Sequence, residues 1–293
     1  MTILGSWRLD ALTIATAFQL TMGDARGQPA STPQAPPATD EKAESSTTTA
    51  LTGTADPPRS SVYDVRLSVD IPVIVLGATA GLLRTYLGNH HVDQRCPCSP
   101  DEINSFDRRF VGNHSDAAGL ASDITVVLAL SVPPILDLVV LGRKRALAED
   151  LIVVAETVMV STLFQQVANF GYQRPRPRTY AGDVSDLNRG EGYLSFLAGH
   201  VATTTAVLAA SSYTLRRRYG EHVWPWVVTG LVAASVGVER VLGGYHFPSD
   251  VVLGAALGLG VGLAVPWLHA RRPEMRLTVA PTSRGGLALL GQF

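Results

Sequence analysis

Six apolar segments recur between residues 71 and 268, and they constrain the fold more than any other feature of the chain. About 20 apolar residues in a helix are enough to cross the hydrocarbon core of a bilayer. Because a backbone in lipid must satisfy its own hydrogen bonds, several such segments in one chain predict a bundle of helices. The segments are residues 71–87, 117–141, 151–170, 201–215, 223–238 and 251–268. The sequence therefore predicts an all-α polytopic membrane bundle of five to six helices.

Composition supports the same class of protein. Hydrophobic residues make up 46% of the 293 residues, and charged residues make up only 17%. The mean hydropathy is +0.17 even though the N-terminal part of the chain is polar, so the remainder is strongly apolar. The net charge of -1, with no basic face, argues against nucleic acid as a partner. The bilayer is the partner that the composition predicts, and the oligomeric state stays open.

The two ends of the chain predict separate elements. Residues 1–25, with Arg8 before an apolar stretch, resemble a secretory signal peptide, and an amphipathic leader is the alternative. Residues 26–62 are rich in Pro, Ser and Thr and predict a disordered linker. The membrane domain then covers residues 63–270. Weak alternation and a turn within residues 271–293 predict a C-terminal tail that forms a hairpin.

The first apolar segment, residues 71–87, is short and contains Pro72 and Arg84. A cleaved signal peptide would leave the mature N-terminus outside, and a spanning first segment would then invert every later one. Either this segment does not span and lies at the interface or packed on the bundle, or residues 11–22 are not cleaved. The short length, Pro72 and Arg84 favour the first alternative. The second segment contains Asp123 and a Pro-Pro pair, which predict a kinked helix packed against other helices.

The last apolar segment contains Gly254, Gly258 and Gly262 at four-residue intervals. Residues at that spacing lie on one face of a helix. Small residues there predict that a neighbouring helix approaches closely.

Basic clusters indicate how the bundle is oriented. Residues 143–145, 216–218 and 271–272 lie at alternate connections, so spanning segments place all of them on one side. The positive-inside rule makes that side cytoplasmic. The polar loops described below then gather on the opposite side. The sequence therefore predicts an integral protein of a bacterial-type cell membrane whose active site faces the periplasm or the exterior.

The loop after the first segment contains the two cysteines of the chain, Cys96 and Cys98. A disulfide, free thiols and metal binding are all left open by this spacing. In the same loop, residues 104–108 predict a helix-capping and pairing element without chemistry.

A polar trio, Arg240, His246 and Asp250, occupies the short connection between the last two apolar segments. Charged residues at such a place are costly and indicate function. An Arg can bind a phosphate with two N–H groups, a His can attack phosphorus or transfer a proton, and an Asp can orient that His. No Walker loop or aspartate cluster accompanies the trio, so we expect phosphoryl chemistry without a metal or other cofactor.

Two further stretches extend this pattern. Arg174-Pro175-Arg176-Pro177-Arg178 follows one apolar segment, and Ser195-Phe196-Leu197-Ala198-Gly199-His200 opens another. Together with the trio they resemble the signature of the type-2 phosphatidic acid phosphatase family, which reads K-x6-R-P, P-S-G-H and S-R-x5-H-x3-D. The family includes lipid phosphate phosphatases, bacterial acid phosphatases and vanadium haloperoxidases, and the resemblance covers roughly residues 65–269.

The resemblance implies a role for each matched residue. His246 would attack phosphorus to give a phosphohistidine, and Asp250 would orient His246. His200 would protonate the leaving oxygen and later activate water. Arg176 and Arg240 would bind the phosphate oxygens, and Gly199 would offer its backbone amide at a helix N-terminus. Because the site would lie at the membrane boundary, the expected substrate is a lipid phosphate such as phosphatidate, phosphatidylglycerophosphate or undecaprenyl diphosphate.

Three positions depart from the signature. Asn169 stands where the family has Lys, Leu197-Ala198 replaces Pro-Ser, and Glu239 replaces Ser. Arg174 or Arg178, which flank Arg176, could bind phosphate in place of the missing Lys, and the alternative for Arg174 is a solvated charge in the loop. The leading hypothesis is a lipid phosphate phosphatase. The alternatives are a catalytically impaired member that binds phospholipid or serves a structural role, and a vanadate-dependent peroxidase, which the missing Lys disfavours.

Overall fold

Helices form the membrane domain in the computed structural model, which describes residues 61–142, 145–271, 276–281 and 287–292. The predicted signal peptide and nearly all of the predicted linker lie outside these residues. The helices are α1 Leu67–Leu82, α2 Arg84–His91, α3 Asp116–Leu141, α4 Arg145–Tyr172, α5 Pro177–Tyr180, α6 Val184–Leu187, α7 Gly199–Tyr219, α8 Trp224–Leu242 and α9 Pro248–His269. The predicted all-α polytopic bundle is confirmed.

In the part of the chain that the structure describes, fewer helices qualify as membrane spans by length and apolar composition than the six predicted apolar segments. Among the described residues, four helices, namely α3, α4 with its extension to Tyr180, α8 and α9, are long and apolar enough to cross a membrane. The predicted first segment is divided between α1 and α2, which meet at a bend of 48° and together could form a fifth span. The bend places Arg84 at the start of α2.

Helix α7 forms the centre of the bundle and packs against α3, α4, α8 and α9. Its sequence is rich in Ala, Ser and Thr, and about half of its residues are buried. Buried hydroxyls bond within the helix, as Thr205 Oγ1 does by donating to the Val201 carbonyl at 2.7 Å. Because other helices rather than lipid surround much of α7, the segment at 201–215 needs less hydropathy than a lipid-facing span, and α7 is not among the helices that pass as spans by length and apolar composition.

The glycines of α9 lie against α7, as their spacing predicts. A Cβ added to Gly254 would come 2.7 Å from the Ala198 carbonyl oxygen, and one added to Gly258 would come 2.3 Å from the Ala202 oxygen. At Gly262 the corresponding approach is 2.6 Å, to the Ala206 oxygen. The neighbour at each position is backbone and cannot rotate away. The three glycines therefore fix how closely α9 approaches α7, and with it the loop that precedes α7.

The substitution Gly258→Ala is expected to lower the free energy of unfolding by about 1–3 kcal/mol, because the added methyl group overpacks a helix contact. Thermal unfolding of the protein in detergent measures this effect. Gly260→Ala is the matched control, since a Cβ there meets no atom within 4 Å. The control should be neutral or slightly stabilising. Equal losses from both variants would contradict close packing at Gly258.

The basic residues of α4, α7 and the chain after α9 share one end of the bundle. Arg218 forms a buried ion pair with Asp150 at 2.7 Å, and Arg217 donates to the Arg271 carbonyl at 2.7 Å. Residues 143 and 144 lie outside the described part of the chain. This end is called the basic end below. The loops that carry the predicted site residues lie at the other end of the same helices.

Two smaller elements complete the fold. The strands β1 Arg276–Pro281 and β2 Leu287–Gln292 pair antiparallel, with Arg276 opposite Gln292 and Pro281 opposite Leu287. A disulfide joins Cys96 to Cys98 in the connection between α2 and α3. Of the three states that the sequence left open for these cysteines, the structure contains the disulfide.

Candidate active site

A cavity of about 440 Å³ opens at the end of the bundle opposite the basic end. Its ionisable lining consists of three guanidinium groups, two imidazoles and two carboxylates, which belong to Arg84, Arg176, Arg240, His200, His246, Asp123 and Glu191. Gly199 also lines it. Five predicted site residues are thus brought together: Arg176, Gly199, His200, Arg240 and His246. Two others, Asp250 and Arg174, lie behind the cavity wall.

His246 is buried in the connection between α8 and α9, and one hydrogen bond defines its tautomer. Its Nδ1 lies 2.6 Å from the carbonyl oxygen of Ser195. A carbonyl oxygen only accepts, so Nδ1 carries the proton and Nε2 keeps its lone pair. Burial, and next the guanidiniums of Arg240 and Arg176, hold the pKa of His246 well below its usual value. The imidazole is therefore neutral at pH 7, which is the nucleophilic form.

Asp250 acts on His246 through an intermediary. Its carboxylate accepts from Ser195 Oγ at 2.6 Å and from the Phe247 N–H at 3.0 Å, and the carbonyl of the same Ser195 binds His246. Asp250 thus fixes the residue that orients His246 and caps the first turn of α9. The role expected of Asp250, to orient His246, is therefore indirect, because Ser195 lies between them. Sequence reasoning missed Ser195, although it lies in one of the matched stretches.

Arg174 does not line the cavity where a substitute for the missing Lys is needed. Its Nη1 donates to Asp250 at 2.6 Å, its Nη2 donates to Asp107 at 2.9 Å, and its guanidinium stacks 4.2 Å from the Phe247 ring centroid. Two buried carboxylates therefore neutralise Arg174, and it supports the base of α9. The contacts place it in a structural network rather than in the predicted phosphate-binding set.

Asp107 is the fully buried partner of this network. Asn104 caps its backbone as predicted, with Oδ1 accepting from the Asp107 N–H at 2.9 Å. Burial would raise the pKa of Asp107, but hydrogen bonds from Ser249, Arg174 and Asn104 outweigh burial and lower it. A residue to which the sequence assigned no chemistry thus holds the loop before α3 against α9.

The substitution Asp107→Asn is expected to lower the free energy of unfolding at pH 7 by about 3 kcal/mol, because it leaves Arg174 without one of its buried counterions. Because the folded pKa is depressed, the contribution of Asp107 is present above the unfolded pKa of about 3.9 and is lost as the pH falls through the folded value. Thermal unfolding in detergent at pH 7 checks this loss. The control, Asp101→Asn, removes an exposed ion pair with Arg108 and should cost under about 0.5 kcal/mol. A loss no larger than that control would contradict the role of Asp107.

Tyr245 supports the cationic wall with its ring. The guanidinium carbons of Arg240, Arg178 and Arg176 lie 4.0, 4.3 and 5.5 Å from its ring centroid. The π-face of an aromatic ring attracts cations, so Tyr245 offsets part of the repulsion among them. Arg178, the predicted alternative to Arg174, donates to the Gly243 carbonyl at 2.6 Å and to Asp116 at 3.1 Å. Arg178 therefore belongs to the wall behind Tyr245.

Asp123 of α3 joins the second imidazole to a guanidinium. His200 Nε2 lies 2.8 Å from Asp123 Oδ1, and Arg240 Nη1 donates to the same oxygen at 3.2 Å. A carboxylate accepts, so this Nε2 carries a proton at the cavity surface. The sequence offered one signal for Asp123, a carboxylate inside an apolar segment.

Position 169 supplies no cation to the cavity, and Arg84 of α2 lines the cavity instead. Asn169 is fully buried, and its amide donates back to the Gln165 carbonyl of its own helix at 2.8 Å. Arg84 reaches the same wall from α2, with Nη1 donating to Gln166 Oε1 at 2.8 Å and Nη2 to the Leu194 carbonyl at 3.3 Å. The cavity thus has a third cation even though position 169 supplies none.

The other two departures change side chains but keep the backbone. The Ala198 N–H donates to the Asp250 carbonyl at 3.1 Å, and α7 begins directly after it, at Gly199. Free amides at the start of a helix favour an anion. Glu239, which replaces Ser, accepts from Ser235 Oγ at 2.9 Å on its own helix.

The fold and the cavity together define a helical membrane protein with a cationic, imidazole-containing site suited to an oxyanion. Residues 150–274 match the model of the PAP2 superfamily. The matched segment contains every stretch that carries the resemblance to this superfamily.

Two further comparisons were made, one with curated proteins and one with solved structures. A search of the curated proteins found no match. Among solved structures, LpxE of Aquifex aeolicus is 22% identical, with a TM-score of 0.39, covering 59% of this chain and 98% of its own. A transmembrane PAP2 type phosphatidylglycerolphosphate phosphatase from Bacillus subtilis is 20% identical, with a TM-score of 0.41, covering 66% of this chain and 95% of its own.

Proposed function

We propose that this protein is a membrane phosphatase that removes phosphate from a lipid phosphate without a catalytic metal. The match of residues 150–274 to the PAP2 superfamily model supports a phosphatase. The observation that carries the proposal is the cavity, in which a neutral imidazole lies among three guanidinium groups. Such a site attracts a doubly charged phosphate ester and presents a nucleophile to it.

The reaction has two steps at His246. Nε2 of His246 attacks phosphorus, the bond from phosphorus to the ester oxygen breaks, and His200 gives its proton to the departing alkoxide. Neutral His200 then takes a proton from water as that water attacks phosphohistidine, which releases inorganic phosphate and restores His246. Asp123, which binds the Nε2 of His200, favours the protonated form that the first step requires, whereas burial and the guanidinium of Arg240 oppose that form more strongly. The negative charge of a bound phosphate ester would offset this opposition.

The three guanidinium groups of the cavity have positions from which they can bind the phosphate oxygens. Arg84, Arg176 and Arg240 line the cavity from α2, the loop before α5 and the end of α8. We propose that they bind the non-bridging oxygens, together with the backbone amides at the start of α7. In this arrangement Arg84 supplies the positive charge that Asn169 lacks. Fixed charges in a partly dry site stabilise the developing charge of the transition state without reorganisation.

The position of the cavity supports a lipid substrate. It lies at one end of helices that are long enough to cross a bilayer, so a phosphate head group can enter while its acyl or prenyl tail stays in the lipid. The basic residues cluster at the opposite end, and the positive-inside rule makes that end cytoplasmic. We therefore propose that the site faces the periplasm or exterior.

Release of inorganic phosphate from short-chain phosphatidate by the purified full-length protein tests this function. The assay contains a chelator, and His246→Ala supplies the background. Release well above that background, inhibited by vanadate, supports a phosphatase. Equal release from both proteins across phosphatidate, phosphatidylglycerophosphate and undecaprenyl diphosphate would favour the alternative, an impaired member that binds phospholipid.

A further inference from the structure

A second cluster of ionisable residues lies at the basic end of the bundle, away from the cavity that contains His246. Asp70 of α1, Glu156 of α4 and His269 of α9 each present one ligand atom, and these atoms lie within 4.8 Å of one another. Asp250 and His269 stand at opposite ends of α9, about 28 Å apart along its axis. The cluster therefore has no part in the phosphoryl chemistry proposed above.

The hydrogen bonds around the cluster leave its three ligand atoms directed at one another. His269 Nδ1 lies 2.9 Å from the Val265 carbonyl oxygen, so Nδ1 carries a proton. Asp70 Oδ2 accepts from the Arg66 N–H at 2.8 Å, which leaves Oδ1 for the cluster. Histidines that bind metals commonly donate their other N–H to a backbone carbonyl, and the neighbouring carboxylates are themselves hydrogen-bonded.

Glu156 provides a second, independent sign of a ligand. The residue is only 8% exposed, and its Oε2 is buried without a hydrogen bond from any described residue. His269 Nε2 lies 3.2 Å from Glu156 Oε2. A buried carboxylate oxygen without a donor is costly and requires a positive partner.

The distances fit a cation better than a proton. His269 Nε2 is 3.4 Å from Asp70 Oδ1 and 3.2 Å from Glu156 Oε2. A charge-assisted N–H···O bond is about 2.7–2.9 Å long. Ligand atoms bound about 2.0–2.2 Å from a tetrahedral Zn²⁺ lie about 3.3–3.6 Å from one another. A divalent ion would also neutralise both carboxylates, whereas one proton leaves a net negative charge in a buried place.

We propose that Asp70, Glu156 and His269 bind one divalent transition-metal cation that joins α1 to α4 and α9. A cavity of about 780 Å³ borders the three residues, so water can occupy the fourth position of the ion. One imidazole with two carboxylates favours Zn²⁺ or a similar ion over Mg²⁺, which prefers oxygen ligands.

Cobalt binding to the full-length protein, stripped of metal and kept in detergent, tests this site. We expect one Co²⁺ per chain, with the visible absorption of a four-coordinate nitrogen and oxygen site, displaced by Zn²⁺ and unaffected by excess Mg²⁺. Glu156→Gln, which keeps the shape of the side chain, should weaken binding by at least about 100-fold. His222→Ala removes an exposed histidine and serves as the control for adventitious binding.

Two results would overturn the proposal. Wild-type protein without a four-coordinate Co²⁺ spectrum would mean that a proton on His269 joins the two carboxylates, and this result depends on no variant. Equal Co²⁺ affinity in wild type and in Glu156→Gln that elutes as folded protein would place the ion elsewhere. Neither result bears on phosphate release, so this site and the proposed phosphatase can fail separately.

Discussion

Replacing His246 by alanine is expected to lower the rate of phosphate release by at least about 10⁴-fold, as loss of a nucleophile does in other covalent enzymes. The reason is the geometry at Nε2. Ser195 holds the proton of the imidazole on the other nitrogen, and no water can reproduce that positioned lone pair. Initial rates with short-chain phosphatidate measure the loss.

A matched control separates chemistry from general damage. His91 is an exposed histidine at the end of α2, and His91→Ala should keep wild-type rates. Substrate binding to His246→Ala should also persist, because the three guanidiniums remain. If His246→Ala kept more than about one tenth of the wild-type rate, a different group would have to attack phosphorus.

Arg84→Ala is expected to lower kcat by about 10²–10³-fold, the usual effect of removing one preorganised charge from a transition state. The cavity relies on Arg84 because Asn169 turns its amide towards its own helix. Arg84→Lys should recover only part of the rate, because Lys keeps the positive charge but lacks the planar guanidinium that binds two phosphate oxygens. Arg189→Ala is the control, because Arg189 is exposed and lies directly before the 3-10 helix Gly190–Tyr193.

A rescue experiment distinguishes a phosphate ligand from a structural arginine. Adding Asn169→Lys to Arg84→Ala restores the lysine of the family signature on the helix that also carries Gln165 and Gln166, which line the cavity. Partial recovery of kcat is expected from the double variant. Recovery of folding without any recovery of rate would assign Arg84 a merely structural role.

Local patterns in the sequence were sufficient for much of the fold. Segment length and the four-residue spacing of Gly254, Gly258 and Gly262 follow from helix geometry, and the structure contains the helices and the close helix contact that they predict. The bend before Arg84 was not predicted, because a break in a helix depends on what packs against it. Helix α7, which contains the predicted segment 201–215, is less apolar than the lipid-facing helices because its small residues pack against protein.

The candidate site was predictable where its residues lie close together in one short motif. Arg240 and His246 belong to such a motif, and both line the cavity. The partners of the motif residues come from distant segments. Asp123 lies on α3, and Asp107 captures Arg174 from a loop to which the sequence assigned no chemistry. Contacts between residues 67 positions apart, as in that pair, depend on the packing of whole helices and leave no periodic trace in one sequence.

Trapping the covalent intermediate tests the central claim most directly. The wild-type protein is mixed with short-chain phosphatidate, quenched at alkaline pH, where phosphohistidine survives, and digested for mass spectrometry. We predict a phosphate on His246 that is absent from His246→Ala and is released by acid. Rapid turnover by the wild-type protein with no phosphate on His246, or with the phosphate on His200 instead, would contradict the account.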